Sequence, residues 1–552
     1  MSNPLARRNY ATVLPVEIWR ECFMLLGVTE HKKLAKTCRF FHGVCLAFIF
    51  KSITLSSRIT FQKSSTAEDM TRQLEKSTDD IGRFVQLAMS PQYAALVRKC
   101  TLRYSLRLST GTDESMAKLA KDAYEPFIQA FVKCIPRFVN IREIELDCTK
   151  KMDKRVLVVL ATLPQVDKLS LTSVRFGVHL LKSQIKAKKL WIHNSRSDAN
   201  PNKAAKRLEL FSAEHLEELS VLSEAYAPKI FLALTNRGPL KNLTNLSFEL
   251  NAKDLNALYR FLAMCPNIES FRANFGHYDA DMKRIAFPPL PQSTIPFLQS
   301  FTGHELVAKV FVPGRPVKKV CLKQFERWRD RHLSDIGDLV PYLSRSTGPV
   351  IDLEFENMEA SPGVLALLAA RLPRLLRLKL ELIVQRPFPE EDPHSIQLEV
   401  ARANEHISLQ IGEAASQSNN VMLPIVAHAA YMSLMHWTAH GRVVLPPNLQ
   451  ILHFIDEFSL VCFGLDEDSV ADSDSDSNDS DRHAKKKKPK KEPYTFAMAE
   501  SIFDTISVQY PALQRIIIGK TQGKEWIKSA NQQWKFLNRQ RRYHFPIDSD
   551  SD

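Results

Sequence analysis

Residues Leu243–Phe275 read LTNLSFELNAKDLNALYRFLAMCPNIESFRANF and hold one full cycle of a repeating pattern. Leu243, Leu246 and Phe248 form an apolar-x-x-apolar-x-apolar unit, and a strand through the last two buries one side and leaves the other polar. Within Ala252–Met264, Leu255, Leu258, Phe261 and Leu262 recur at i, i+3, i+6 and i+7, one face of a helix. Pro266 stops that helix, and Ile268, Phe271 and Ala273 begin the next unit.

The unit recurs on both sides. Before it stand Val97-Cys100-Leu102, Ile141-Ile144-Leu146, Val166-Leu169-Leu171, Ala187-Leu190-Ile192 and Leu216-Leu219-Val221. After it stand Val317-Val320-Leu322, Val350-Leu353-Phe355, Leu375-Leu378-Leu380, Leu449-Leu452-Phe454 and Leu513-Ile516-Ile518. From Ile144 to Phe271 the central residues are 25, 21, 29, 27 and 25 apart. That period and pattern resemble leucine-rich repeats. The resemblance implies an α/β fold, an irregular leucine-rich-repeat solenoid with parallel strands on the concave side and helices such as Asp153–Leu163 outside. No unit buries its own apolar face, so neighbours must stack. An all-helical solenoid and unrelated α/β domains are the alternatives, and the strand pattern ahead of each helix speaks against the first. The interval widens to 49 after residue 271, 74 after residue 378 and 64 after residue 452. The insertion at 385–447 carries Pro389-Glu390-Glu391-Asp392-Pro393, then His428, Tyr431, His436, Trp437 and His440. It reads as extra helices over the core or as part of a target-contact surface.

At the N-terminus, Leu14–Leu55 reads LPVEIWRECFMLLGVTEHKKLAKTCRFFHGVCLAFIFKSITL. Three short helices are expected. The first starts at Pro15, carries Ile18, Trp19, Cys22, Phe23, Leu25 and Leu26, and ends at Gly27. The second starts at Thr29 and carries Leu34; the third runs from about Cys38 through Phe41, Val44, Cys45 and Phe48. Their apolar residues cover more than one face, so some must pack on the following chain or under another protein. Leu14, Pro15, Glu17, Ile18, Phe23, Leu26, Leu34, Cys38 and Phe41 resemble the F-box motif at its own intervals. Phe41 stands where that family usually has Trp, and His31 where it usually has Leu. Phe48, Phe50, Ile53 and Leu55 are similar to the family's exit segment. The resemblance implies that the matched residues bind the Skp adaptor of a Skp–cullin–F-box ubiquitin ligase. Leu14, Pro15, Ile18, Leu26 and Cys38 then carry the apolar contact. It implies a non-catalytic adaptor whose repeats hold a target protein for ubiquitination, the chemistry lying in other subunits.

Residues 466–481 read DEDSVADSDSDSNDSD and residues 482–491 read RHAKKKKPKK. Neither can build a core, so a disordered acidic-then-basic loop is expected. Ser473, Ser475 and Ser477 sit among acids as phosphorylation candidates. Lys485, Lys486, Lys487, Lys488, Lys490 and Lys491 resemble a single-cluster nuclear import signal.

The 552 residues carry 75 Lys and Arg against 61 Asp and Glu, a formal charge of +14, with 44% apolar residues. This composition excludes collagen, a disulfide scaffold and wholesale disorder. The 9 cysteines are scattered without a C-x-x-C, so buried thiols in a reducing compartment are expected rather than bridges or a zinc ribbon. The first residues lack the apolar core of a secretory signal. The runs Val156–Leu163 and Val364–Ala370 fall short of the roughly 20 residues a membrane span needs, so no membrane partner is expected. Gly519-Lys520-Thr521 lacks the earlier glycine of a phosphate loop, with Gln514 in its place, and His304-Glu305 is followed by Ala308 rather than a second zinc-binding His. No catalytic, cofactor or metal site is therefore expected. Location is expected to be nuclear, cytoplasmic or both. The alternative to an adaptor is a basic nuclear scaffold or nucleic-acid-binding repeat protein, but no base-stacking aromatic module supports nucleic acid as the partner. The expected division is a tail at 1–11, the F-box at 12–55, a polar linker or helical connection at 56–95, repeats at 96–460, the charged loop at 461–493, a last repeat at 494–524 and a tail at 525–552.

Overall fold

A computed structural model describes residues 14–61, 67–108, 123–148, 152–164, 166–176, 180–193, 209–275, 287–323, 334–358, 362–382, 434–435, 438–441, 443–455, 496–519, 524–529, 531 and 533–537. The fold is mixed α/β, with a large, mostly parallel sheet and no closed barrel. The chain packs as two compact units, residues 1–300 with 544–552 and residues 301–543.

In the first unit three short helices, α1 (Val16–Met24), α2 (Val28–Leu34) and α3 (Arg39–Ile49), lead into strand β1 (Ser52–Phe61). Helices α4 (Ala67–Met89) and α5 (Pro91–Ala94) follow, then β2 (Lys99–Leu108), α6 (Tyr124–Cys134), β3 (Glu143–Cys148), α7 (Lys154–Thr162) and β4 (Val166–Thr172). Next come β5 (Leu180–Ile185), β6 (Ala187–His193), β7 (Glu209–Phe211), β8 (Glu218–Leu222), α8 (Ala227–Thr235), β9 (Asn245–Leu250), α9 (Leu255–Ala263) and β10 (Ser270–Phe275). The sheet order is β1-β2-β3-β4-β6-β8-β9-β10, every pair parallel. Among the described residues, β5 and β7 pair only with each other. They stand where a helix would return the chain after β4 and β6.

The second unit runs β11 (Ser300–Gly303), α10 (Glu305–Phe311), β12 (Lys319–Leu322), α11 (Ser334–Leu343), β13 (Asp352–Met358), α12 (Pro362–Arg371), β14 (Arg377–Leu382) and β15 (Ile451–Ile455). It closes with α13 (Phe496–Gln509), β16 (Arg515–Ile518), β17 (Lys524–Lys528) and β18 (Trp534–Leu537). Strands β12 to β16 are parallel; β16, β17 and β18 form an antiparallel end.

The repeated unit explains the register. Cys100, Ile144, Leu169, Leu190, Leu219, Leu246 and Phe271 stand side by side across successive strands. Each is at most 2% exposed, so one row of the pattern makes one continuous spine of the core. Leu102, Leu146, Leu171, Ile192, Val221, Phe248 and Ala273 make the parallel row. Val320, Leu353, Leu378, Leu452 and Ile516 do the same in the second unit. An asparagine just ahead of the first apolar residue ties each of several units to the one before it. Asn140, Asn242, Asn267 and Asn448 donate through Nδ2 to the carbonyls of Ala95, Glu214, Lys241 and Pro373, at 2.7 to 2.8 Å. The Asn448 bond bridges the long insertion: the next unit docks as though the inserted residues were absent. Gly348 sits where a Cβ would lie 3.1 Å from the Pro316 backbone, so a larger residue there would press on that backbone.

Several sequence expectations are corrected. The limit between 55 and 56 falls inside β1, because Leu55 and Ile59 continue one buried face of a ten-residue strand. The stretch expected as a polar linker is therefore strand and then the long helix α4. The 49-residue interval holds a further unit, with Leu298 and Phe301 buried and Gly303 in the third place. The start of the expected C-terminal tail is the β17–β18 hairpin, anchored by buried Trp526 and Trp534. Gly27 does not end the first helix; with φ −82° it stands at the N-cap of α2. Pro15 precedes α1 as its N-cap rather than lying in its first turn. His304 is the N-cap of α10, its Nδ1 accepting from Leu306 N at 3.2 Å. Among the described residues, no helix is long and apolar enough to cross a membrane.

Candidate docking surface on the N-terminal helices

Helices α1 to α3 make a small core of their own. Phe23, Val44 and Cys45 are buried, with Val16, Trp19, Leu34, Ala35, Phe40, Phe41, Phe48 and Ile49 packed around them. Trp19, Phe23 and Phe41 meet edge-on or tilted, with centroids 5.0 to 5.9 Å apart. Cys38 caps α3, its Sγ accepting from Phe41 N at 3.4 Å. His31 is buried, stacks on Phe48 at 4.8 Å and places Nε2 2.8 Å from the Phe23 carbonyl oxygen. A carbonyl only accepts, so Nε2 carries the proton, and Nδ1 is left buried without a partner. The His31 ring thus fills the space beside Phe48 and straps α2 to the end of α1.

The inward face of α1 is Val16, Trp19 and Phe23, at helical spacing. The opposite face is apolar too. Leu14 is 41%, Ile18 46% and Leu26 38% exposed, and Pro15 and Cys22 are exposed beside them. Met24, Leu25 and Val28 continue the patch around the α1–α2 turn, with Leu25 87% exposed. Among the described residues, 6 of the 14 large apolar side chains left exposed fall between residues 14 and 28. Scattered exposed apolar residues need no explanation; a run of this density does.

The motif residues therefore divide into two sets. Leu14, Pro15, Glu17, Ile18, Leu26 and Cys38 are exposed. Leu34 and Phe41 are half-buried against the core, and Phe23, 3% exposed, has no surface to offer a partner. Phe23 lies in the packed core of the three helices rather than on the exposed face. Sequence reading missed Met24 and Val28; their lack of an inward-facing period was the available signal. The candidate lysines 485–488, 490 and 491, the serines 473, 475 and 477, and nearly all of the 385–447 insertion lie outside the described residues.

A second grouping was not legible by spacing. Cys321 in β12 and Glu354 and Glu356 in β13 bring a thiol and two carboxylates within 4.8 Å of one another, through the Cys321–Glu354 register. Lys379 bonds to Glu354, and Lys323 to Glu356 at 2.9 Å. Burial first, then the two carboxylates, push the Cys321 thiol up to about 12. A protonated thiol among carboxylates already paired with ammonium groups is a structural cluster rather than a ligand set. The eight described cysteines are all free thiols, and only Cys22 and Cys38 are exposed. No protein-family model matches the chain, and no curated protein matches it.

Proposed function

We propose that the chain is a non-catalytic substrate-recognition adaptor of a Skp–cullin–F-box ubiquitin ligase. In this reading α1 to α3 are an F-box that docks the Skp adaptor. The strand-and-helix units are a leucine-rich-repeat solenoid that holds a target protein. One observation carries the reading: α1 packs its own core with Val16, Trp19 and Phe23 yet leaves Leu14, Ile18 and Leu26 open to water. A knob that needed only to pack on its own chain would present polar residues there. All five residues that the resemblance assigns to the apolar contact, Leu14, Pro15, Ile18, Leu26 and Cys38, are exposed. Tethering the target beside the ligase raises the local concentration of the transfer machinery without any chemistry in this chain.

The test is direct. The full chain, expressed with a purified Skp adaptor, should elute with it as a stable complex. The Leu14→Ala, Pro15→Ala double variant should elute alone while keeping the wild-type melting temperature. Co-elution of that variant, or failure of the wild type to co-elute, overturns the reading.

A further inference from the structure

Between β10 and β11, residues 287–291 read FPPLP and lie in no helix, strand or turn. The prolines restrict this backbone from both sides. The rings of Pro288, Pro289 and Pro291 hold φ near about −65°. The proline that follows each keeps Phe287, Pro288 and Leu290 out of the helical region. These limits favour polyproline II, a left-handed helix of about three residues per turn with no internal hydrogen bonds. Exposure follows that period. Phe287 and Leu290 share one edge and are half-buried; Pro288 and Pro291 share the second and are exposed; Pro289 is exposed on the third. The two bulky side chains thus face the chain and the prolines face water.

The segment is fastened as well as displayed. Tyr259 of α9 donates through its hydroxyl to the Pro288 carbonyl at 2.9 Å. The Thr294 N–H donates to the Pro291 carbonyl at 2.9 Å and closes the turn that ends the run. Pro289 has no hydrogen-bond partner among the described residues, so its carbonyl is open to an outside donor. Residues 285–300 contain no Asp, Glu, Lys or Arg. A partner on this ridge therefore meets proline rings and a carbonyl rather than charge.

We propose that residues 287–291 dock a partner protein carrying a WW-type domain, whose aromatic-lined groove takes the ridge made by Pro288 and Pro291. Such a groove reads proline rings three residues apart, and a ridge already held in polyproline II has little conformational freedom left to lose. An indole N–H in the groove wall finds its acceptor in the Pro289 carbonyl. A proline groove with an acidic pocket, as in SH3 domains, finds no Arg or Lys beside this ridge. One that must take in the aromatic residue, as in EVH1 domains, finds Phe287 half-buried against the chain. The inference stands on this segment alone and does not depend on the adaptor reading.

The test titrates the full chain with a panel of purified WW domains, and with an SH3 and an EVH1 domain for contrast, by isothermal calorimetry. At least one WW domain should bind saturably, with an affinity that changes by less than about twofold from low to high salt. Pro288→Ala with Pro291→Ala should weaken that binding by about tenfold or more. Both rings are exposed, so the double variant should keep its melting temperature within a few degrees. A synthetic peptide of residues 287–294 should displace the chain from the WW domain, and the same peptide with both substitutions should not. Binding by no WW domain overturns the proposal, as does wild-type affinity in the double variant. Tighter binding of the SH3 or EVH1 domain overturns it in favour of that groove, and strong weakening by salt overturns the uncharged contact. Should the double variant unfold, the peptide pair still decides: equal displacement by both, or by neither, overturns the proposal.

Discussion

Leu14→Ala with Ile18→Ala should separate docking from folding. Fully burying a leucine or isoleucine side chain is worth about 1.5–3 kcal/mol. Leu14 and Ile18 keep 41% and 46% of their surface in water, so a partner that covers them gains somewhat under half of that from each. The pair is then worth roughly 1.3–2.6 kcal/mol to the complex, or roughly ten- to eighty-fold in affinity. The same change should cost the fold little, since substitutions at open positions stay within about 0.5 kcal/mol each. Phe23→Ala makes the contrast: Phe23 is 3% exposed and touches Trp19 and Phe41, so its truncation should cost about 3–5 kcal/mol and unfold the knob. Isothermal titration against a purified Skp adaptor gives the affinity, and amide exchange at Cys45 reports whether the knob is folded. Wild-type affinity in the double variant would refute the argument. So would loss of Cys45 protection in it, because the open face would then be part of the knob's own packing.

The remaining expectations are these. His31→Leu removes a buried Nδ1 without a partner while Leu26 N still donates to the Phe23 carbonyl, so Cys45 exchange should slow by an amount equal to about 1 kcal/mol. Arg315 is 1% exposed, and its Nη1 donates to the carbonyls of Val310, Phe311 and Pro313; Arg315→Ala should lower the free energy of unfolding read from urea melts by about 3 kcal/mol or more, and Lys should restore only part of it. Burial pushes the Cys148 and Cys321 thiols up to about 12 from 9.0, so both stay protonated in the fold. Their contribution is whole below pH 9 and is lost as pH climbs toward 12; alkaline melts should steepen over that window, and Cys148→Ala should flatten them. At pH 8 iodoacetamide should label Cys22 and Cys38 well before Cys148 and Cys321.

The mixed α/β build was legible because each unit repeats one physical demand: residues such as Ile144 and Leu146 must face inward on a strand beside copies of themselves. What escaped reading breaks that repetition. β11 was missed because Gly303 occupies the third apolar place, and glycine carries no pattern. β5 and β7 were missed because pairing with each other replaces the helix that the period predicts. β1 was cut in two because Ser56, Ser57 and Arg58 look like a linker when the buried Leu55 and Ile59 around them are not read together. The candidate docking face was legible by resemblance, but its division was not. Phe23 and Ile18 are both large and apolar, and only the direction each takes around α1 separates packing from display. Cys321, Glu354 and Glu356 meet through register between units, which one-dimensional spacing does not express.

The same alternation that makes the core hard to change makes the open side of the strands easy to rearrange. Each spine residue, such as Leu169 between Ile144 and Leu190, is fixed by two neighbours, and a change there is felt on both sides. The intervening residues are joined mostly by ion pairs between adjacent strands, including Lys99 with Glu145, Lys189 with Glu218 and Lys319 with Asp352, at 3.2 to 3.6 Å. Their side chains keep between a fifth and a half of their surface in water, so each pair is worth about 0–1 kcal/mol. A partner that brings its own charges can exchange such pairs at small cost, whereas one that needed the spine to move could not. Recognition on this side should therefore be electrostatic, weaken as salt rises, and respond to charge reversal at Lys189 or Asp352 without loss of fold.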